Sequence, residues 1–152
     1  MDRLVYCLRD SDIYFYNFSM KTNSLILQNN KLISYLTIFN KTDLFFYTSE
    51  INIKSLKINS NQKTNDIRTI SCEKGIINAI QTHENKIIVL TKDNIMIVYN
   101  SEYKEEKKIN ISDNEKEYPF FARSIFEFGK QHILISFDEY LIIYDSKKIL
   151  VG

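Results

Sequence analysis

The strongest constraint on the fold of this chain is an eight-residue pattern that occurs three times. It begins with aspartate, continues through apolar residues and ends with an aromatic residue followed by Asn or Asp, at residues 10–17, 93–100 and 138–145. Asp138 follows Asp93 by 45 positions, and a weaker copy that starts at Ser49 precedes Asp93 by 44. A polar turn that leads into an apolar run is typical of a strand. A fixed period of this length is typical of a repeat architecture.

Short apolar segments separated by polar turns follow this period along the whole chain. About fifteen such segments predict strands, and no helical periodicity competes with them. The segments at 87–90 and 95–98 are apolar at consecutive positions, which predicts sheets that are buried on both faces. A β-sandwich also uses many short strands, but it does not require the repeat period. The sequence therefore predicts an all-β, propeller-like protein.

The predicted propeller has about four blades of four short antiparallel strands, and its first blade is incomplete. All 152 residues form one propeller segment, with blades at about 3–29, 31–72, 76–111 and 120–151. Fifteen strands do not fill a common seven-bladed ring, and no spare strand closes a four-bladed one. The chain therefore corresponds to part of a ring.

In its turn residues the sequence resembles the WD-repeat β-propeller family. Thr91-Lys92-Asp93 and Ser136-Phe137-Asp138 match the family's Ser/Thr-x-Asp turn, while Tyr99-Asn100 and Tyr144-Asp145 stand where the family has Trp-Asp. The resemblance implies a buried hydrogen-bond network among these residues. A tyrosine hydroxyl reaches further than an indole N–H, and no Gly-His precedes a first strand, so the bonds of that network must differ here. The predicted structural repeat comprises Asp10, Tyr16, Thr91, Asp93, Tyr99, Ser136, Asp138 and Tyr144.

The resemblance also implies a scaffold that presents one face to protein partners. That face gathers the turns between second and third strands and the loops between blades. The loop at 112–119 is the longest of these links and holds the only proline, next to Tyr118, a residue type favoured at interfaces. The predicted partner-binding residues are Arg9, Ser11, Glu50, Lys92, Asn94, Tyr118 and Glu139.

The composition argues against several other functions. With 20 Lys+Arg and 19 Asp+Glu the net charge is +1, which gives no general attraction to nucleic acid or an anionic membrane. The two histidines, His83 and His132, do not lie at metal-ligand spacing, and three glycines cannot build a phosphate-binding loop. We therefore predict no catalytic residue, no cofactor and no metal.

The cysteines and the beginning of the chain bear on localisation. Cys7 and Cys72 lie in apolar, strand-like segments, which favours reduced thiols over a disulfide. The first residues lead into a strand instead of a secretion signal, and charges interrupt every apolar run before it reaches membrane-spanning length. The sequence predicts a cytoplasmic or nuclear protein without membrane partners.

Three hypotheses about function remain at this stage. The first is a non-enzymatic scaffold that mediates protein–protein interaction in a larger complex. The others are an RNA- or ribosome-associated module and the terminal portion of a longer propeller. Partners would be proteins or another propeller chain, including a second copy, because an open arc of sheets exposes the apolar faces of its first and last members.

Overall fold

The computed structural model describes residues 3–7, 12–28, 32–39, 43–48, 51–57, 67–111 and 121–150. They contain fourteen strands and one short helix, and they fall into two compact units, Met1–Ser71 and Cys72–Gly152. The strands of the first unit are β1 (Arg3–Cys7), β2 (Ile13–Asn17), β3 (Thr22–Leu27), β4 (Ile33–Phe39), β5 (Asp43–Thr48), β6 (Asn52–Lys57) and β7 (Ile67–Ser71). The second unit contains β8 (Ile76–Gln81), β9 (Ile87–Thr91), β10 (Ile95–Tyr99), β11 (Glu105–Asn110), β12 (Ser124–Phe128), β13 (His132–Ser136), β14 (Leu141–Asp145) and α1 (Ser146–Leu150).

The first unit consists of a three-stranded sheet, β1-β2-β3, and a four-stranded sheet, β4-β5-β6-β7, both antiparallel. The turn between β2 and β3 is closed by the Asn17 side chain, whose Oδ1 accepts the Met20 N–H at 3.1 Å, and by Lys21 with φ 51°. Ile13 and Leu56 form its buried core cluster, against which Ile26, Leu27, Ile33 and Leu36 pack. The β1-β2-β3 sheet is the incomplete first blade that the sequence predicts.

The second unit contains a four-stranded sheet, β8-β9-β10-β11, and a three-stranded sheet, β12-β13-β14. Every residue of β9 is buried, as its run of consecutive apolar residues predicts. Side chains of β9 and β10 share one core with the β12-β13-β14 sheet, so the two sheets pack face to face. This core consists of Ile88, Leu90, Met96, Val98, Ile111, Ala122, Ile125, Ile133, Ile135, Phe137, Ile149 and Leu150.

The end of the described chain departs from the prediction. Within the last predicted blade, at 120–151, the apolar run at 148–151 predicts a fourth strand, but residues 146–150 form the helix α1, so the last sheet has three strands. The Asp145 carboxylate accepts the Lys147 N–H at 2.9 Å and thereby caps the helix at its beginning. Ile149 and Leu150 are then both buried in the core.

The fold class predicted from the sequence is confirmed, with that one change. Four small antiparallel sheets follow one another along the chain, each built from consecutive strands. In the part of the chain that the structure describes, no helix is long and apolar enough to span a bilayer.

Candidate functional site

The turn between β9 and β10 is held by the hydroxyl of Thr91. Thr91 is 2% exposed, and its Oγ1 lies 2.6 Å from Oδ1 of Asp93 and 2.8 Å from the carbonyl oxygen of Ile95. The same oxygen accepts the Ile95 N–H at 3.1 Å. The structure therefore brings together the two residues of the Thr-x-Asp motif and uses them to fix the beginning of β10.

Asn94 completes this turn in the left-handed conformation, with φ 59°, which Asn tolerates better than most residues. Its Oδ1 accepts the Ala122 N–H at 2.9 Å, and its carbonyl oxygen accepts the Ile111 N–H at 2.9 Å. Asn94 thus connects its own sheet to the segment that leads into β12. Asn94 is only 8% exposed and its amide oxygen is bonded inside the protein, so its partner-binding role stays a prediction.

The corresponding turn between β13 and β14 uses a different arrangement. The carboxylate of Asp138 receives two hydrogen bonds from Arg123, from Nε at 2.6 Å and from Nη2 at 3.1 Å. The main-chain N–H of Arg123 donates to the carbonyl oxygen of Ser136 at 2.7 Å. Phe137, between the two motif residues, stacks on Tyr140 with ring centroids 4.7 Å apart. The second motif is therefore organised around Arg123.

The guanidinium of Arg123 also affects the ionisation of its partner. By hydrogen bonding and charge it holds the pKa of Asp138 below the ordinary value, and the carboxylate in turn raises the pKa of Arg123. Both side chains are exposed, so the pair positions charge at the surface and contributes little to stability.

The aromatic residues of the repeat differ in their surroundings. Tyr99 is 6% exposed, and its hydroxyl lies 3.8 Å from Sγ of Cys72, a buried free thiol. Burial raises the pKa of both groups, so each remains protonated near neutral pH. Tyr144 is only partly buried against the core of the second unit. Tyr16 makes an edge-to-face contact with Phe18, with centroids 5.0 Å apart.

Together these contacts create one surface of the second unit, here named the turn face. The bond from Ala122 to Asn94 and the bonds from Arg123 to Asp138 fix the segment before β12 against two successive turns. Phe121, 53% exposed, precedes this fixed segment. The turn face consists of Lys92, Asp93, Phe121, Arg123, Asp138 and Glu139, all exposed.

The structure places only some of the predicted site residues on this surface. Lys92 and Glu139 belong to the turn face. Asp10, Arg9, Ser11, Glu50 and Tyr118 lie outside the described residues. Sequence reasoning missed Phe121 and Arg123, since neither belongs to the repeat motif. Pairing β12 with β13 as a hairpin would have revealed Arg123, because it places this residue opposite the turn that contains Asp138.

A second polar cluster of the second unit joins His83 to Glu127. Both carboxylate oxygens of Glu127 accept the His83 main-chain N–H, at 3.0 and 3.1 Å, and Oε1 lies 2.7 Å from Nδ1 of the imidazole. These contacts attach the turn after β8 to β12. Among the residues that the structure describes, no group of three or more His, Cys, Asp or Glu side chains could hold a metal ion.

Comparison with known proteins identifies the fold. No protein-family model matches the sequence, and no curated protein matches it. Solved structures do resemble it. The N-terminal domain of Nup159 has a TM-score of 0.75 at 15% identity, covering 95% of this chain and 42% of that one. The C-terminal WD40 domain of Sif2 has a TM-score of 0.70 at 16% identity, covering 98% and 42%. YCF48 bound to D1 peptide has a TM-score of 0.73 at 9% identity, covering 95% and 46%.

These similarities confirm that the chain folds like part of a WD-repeat β-propeller. The chain spans less than half the length of each of the three structures. At sequence identities this low, the similarity establishes the fold and does not identify a specific activity.

Proposed function

We propose that this chain is a non-enzymatic scaffold, a single WD-repeat-like propeller segment that binds protein partners within a larger complex in the cytoplasm or nucleus. The proposed scaffold function is supported best by the geometry of the turn face. There, internal hydrogen bonds fix an exposed surface that contains Phe121 and Arg123. The partner-binding residues that we retain from the sequence are Lys92, Glu139 and, beyond the described residues, Arg9, Ser11, Glu50 and Tyr118.

The chemistry of the turn face suits a protein ligand. Aromatic residues and Arg are enriched in protein interfaces and among the residues that dominate binding energy. Because the Arg123 side chain is already held by Asp138, less side-chain entropy is lost when a partner binds. Lys92 and Glu139 add charges of both signs at the rim, which favours orientation and specificity over general attraction.

The known structures of this fold are consistent with the proposal. YCF48, which is similar to this chain in structure only, is bound to a peptide. A propeller of this kind can therefore hold a polypeptide ligand. The transfer of such a role to this chain is part of the proposal, since the identity is 9%.

Affinity capture with quantitative mass spectrometry tests the proposal. Tagged wild-type chain is compared with Phe121→Ala and Tyr118→Ala in extract of the source cells. We expect each variant to keep the wild-type unfolding midpoint and to lose most of the main captured protein, corresponding to about 1–2 kcal/mol of binding energy. Met20→Ala is the matched control, because Met20 is also an exposed apolar residue, at 66%, and belongs to the first unit.

Two results would contradict the proposal. If Phe121→Ala captures the partner as well as Met20→Ala does, the turn face is not the binding site, and if Tyr118→Ala does so, neither is the loop at 112–119. If ribonuclease treatment of the extract abolishes capture, or binding falls steeply with salt, the RNA-associated hypothesis replaces the protein scaffold.

A further inference from the structure

One hydrogen bond from the side chain of Asn94 holds the main chain next to Phe121. The Asn94 Oδ1 accepts the Ala122 N–H at 2.9 Å, and both residues are buried, with 8% and 2% exposure. Phe121 adjoins Ala122 and is 53% exposed on the turn face. The bond therefore fixes the main chain that carries an exposed aromatic residue.

Strand β12 itself is attached to the β8-β9-β10-β11 sheet and its turns by other side chains. Nδ2 of Asn78 donates to the Ser124 hydroxyl at 2.9 Å, and the Glu127 carboxylate accepts the His83 main-chain N–H at 3.0 Å. These contacts do not involve Asn94. Loss of the Asn94 amide therefore leaves the strand in place and affects the residues that precede it.

Arg123 of the turn face is likewise held by other contacts. Its main-chain N–H donates to the Ser136 carbonyl oxygen at 2.7 Å, and its guanidinium is bound by the Asp138 carboxylate. Phe121 is therefore the residue whose position depends on Asn94.

Asn94 is itself poorly placed for direct contact, because at 8% exposure it offers little area to a partner. We propose that Asn94 is a positioning residue for partner binding: its amide oxygen holds Phe121 in the conformation that a protein partner recognises, while Asn94 makes no contact with that partner. The proposal rests on the scaffold function proposed above and adds the residue that prepares its binding surface.

The fixed conformation of Phe121 favours binding, because the entropy of ordering this segment has already been lost in folding. Fixing the main chain of one residue is equivalent to about five- to thirtyfold in affinity. A chain without the Asn94 amide should therefore still bind its partner, but more weakly by about that factor.

Replacing Asn94 by glycine removes the amide and keeps the turn. Asn94 has φ 59°, a conformation that glycine adopts readily, and its main-chain bonds to Thr91 and Ile111 do not use the side chain. Hydrogen exchange of the purified chain, followed by NMR, measures the effect. In Asn94→Gly we expect the Ala122 amide to exchange about tenfold faster relative to the Val89 amide, whose protection in the core shows that the chain is folded.

Partner binding is measured as a double-mutant cycle. The wild-type, Asn94→Gly, Phe121→Ala and doubly substituted chains are immobilised and titrated with source-cell extract, and the main protein retained by the wild-type chain is quantified by mass spectrometry. We expect Asn94→Gly to weaken its binding by about five- to thirtyfold. In the Phe121→Ala chain the same substitution should add little, because a positioning residue acts through the residue that it positions. Met20→Ala again serves as the control.

Three results would overturn the inference. They are unchanged exchange at Ala122, wild-type binding by Asn94→Gly, and losses that multiply in the doubly substituted chain, since multiplied losses indicate direct contact by Asn94. In each case Phe121→Ala can still lose the partner, and the scaffold function then stands. If Phe121→Ala instead binds as well as the wild-type chain, the turn face is not the binding site, and both proposals fail.

Discussion

Replacing Thr91 by valine removes one hydroxyl from a buried turn and preserves the shape of the side chain. The hydroxyl oxygen accepts the Ile95 N–H, and the hydroxyl group lies within hydrogen-bond distance of the Asp93 carboxylate. After substitution the Ile95 N–H has lost this acceptor next to a side chain that is 2% exposed. Asp93 is exposed and can be rehydrated, so it adds little to the cost.

The expected loss follows from these contacts. A buried donor that loses its partner costs about 1–3 kcal/mol, and no cavity is created, so we expect Thr91→Val to lower the free energy of unfolding by about 2–3 kcal/mol. For a chain of this length that corresponds to a decrease in Tm of about 4–12 °C. Urea unfolding followed by circular dichroism provides the measurement.

Thr82 is a matched control in the turn between β8 and β9. It is 3% exposed, and its hydroxyl makes longer contacts, 3.3 Å to the Lys86 N–H and 3.4 Å to the Lys86 carbonyl oxygen. The main-chain bond from Thr82 to Lys86, at 2.8 Å, remains in Thr82→Val. We expect a loss below about 1 kcal/mol there. Equal losses in the two variants would refute the argument that the Thr-x-Asp motif fixes the turn.

Other contacts give further predictions. Tyr99→Ala is expected to cost about 3–5 kcal/mol in urea unfolding, as for other buried aromatic residues, and Tyr144→Ala less because that ring is only partly buried. Since Arg123 lowers the pKa of Asp138, this exposed pair adds a small stabilisation above the ordinary carboxyl pKa of 3.8, which is lost as the pH falls through the lower folded value. Arg123→Gln should therefore flatten the acid limb of urea midpoints measured against pH only slightly. Burial raises the pKa of Cys72, so the stability associated with its neutral thiol is lost as the pH rises above the ordinary value of about 8.5. Iodoacetamide labelling mapped by mass spectrometry should find Cys72 unmodified in the folded chain at neutral pH and modified in urea; rapid labelling without urea would contradict its burial.

The sequence was sufficient for the features that depend on local pattern. The consecutive apolar residues of β9 and β10 required burial on both faces, and the structure buries all of β9. Thr91 and Asp93 are two positions apart, so the turn that brings them together can be recognised without tertiary information. The repeat period then grouped the strands into sheets.

Features that depend on distant residues could not be predicted in this way. Asn94 looked like an exposed turn residue, but its amide bonds to Ala122, 28 positions further along the chain. The sequence predicts a strand at 148–151, where the chain forms the end of a helix instead. Helix α1 is favoured there because Asp145 caps it and because one face of the helix can bury both Ile149 and Leu150. Neither the cap at Asp145 nor the burial of this helix produces a repeating pattern that can be recognised in the sequence.

The order of strands within each sheet has a consequence for folding of the protein. In each sheet among the described residues every strand pairs with the strand before or after it in the sequence, so none of these sheets requires a strand from a remote part of the described chain. Contacts of this kind need only short loops to close, and folding is faster when contacts are local. The sheet from Ile76 to Asn110 can therefore form without any strand from outside that range, and it offers the β12-β13-β14 sheet a surface on which to pack.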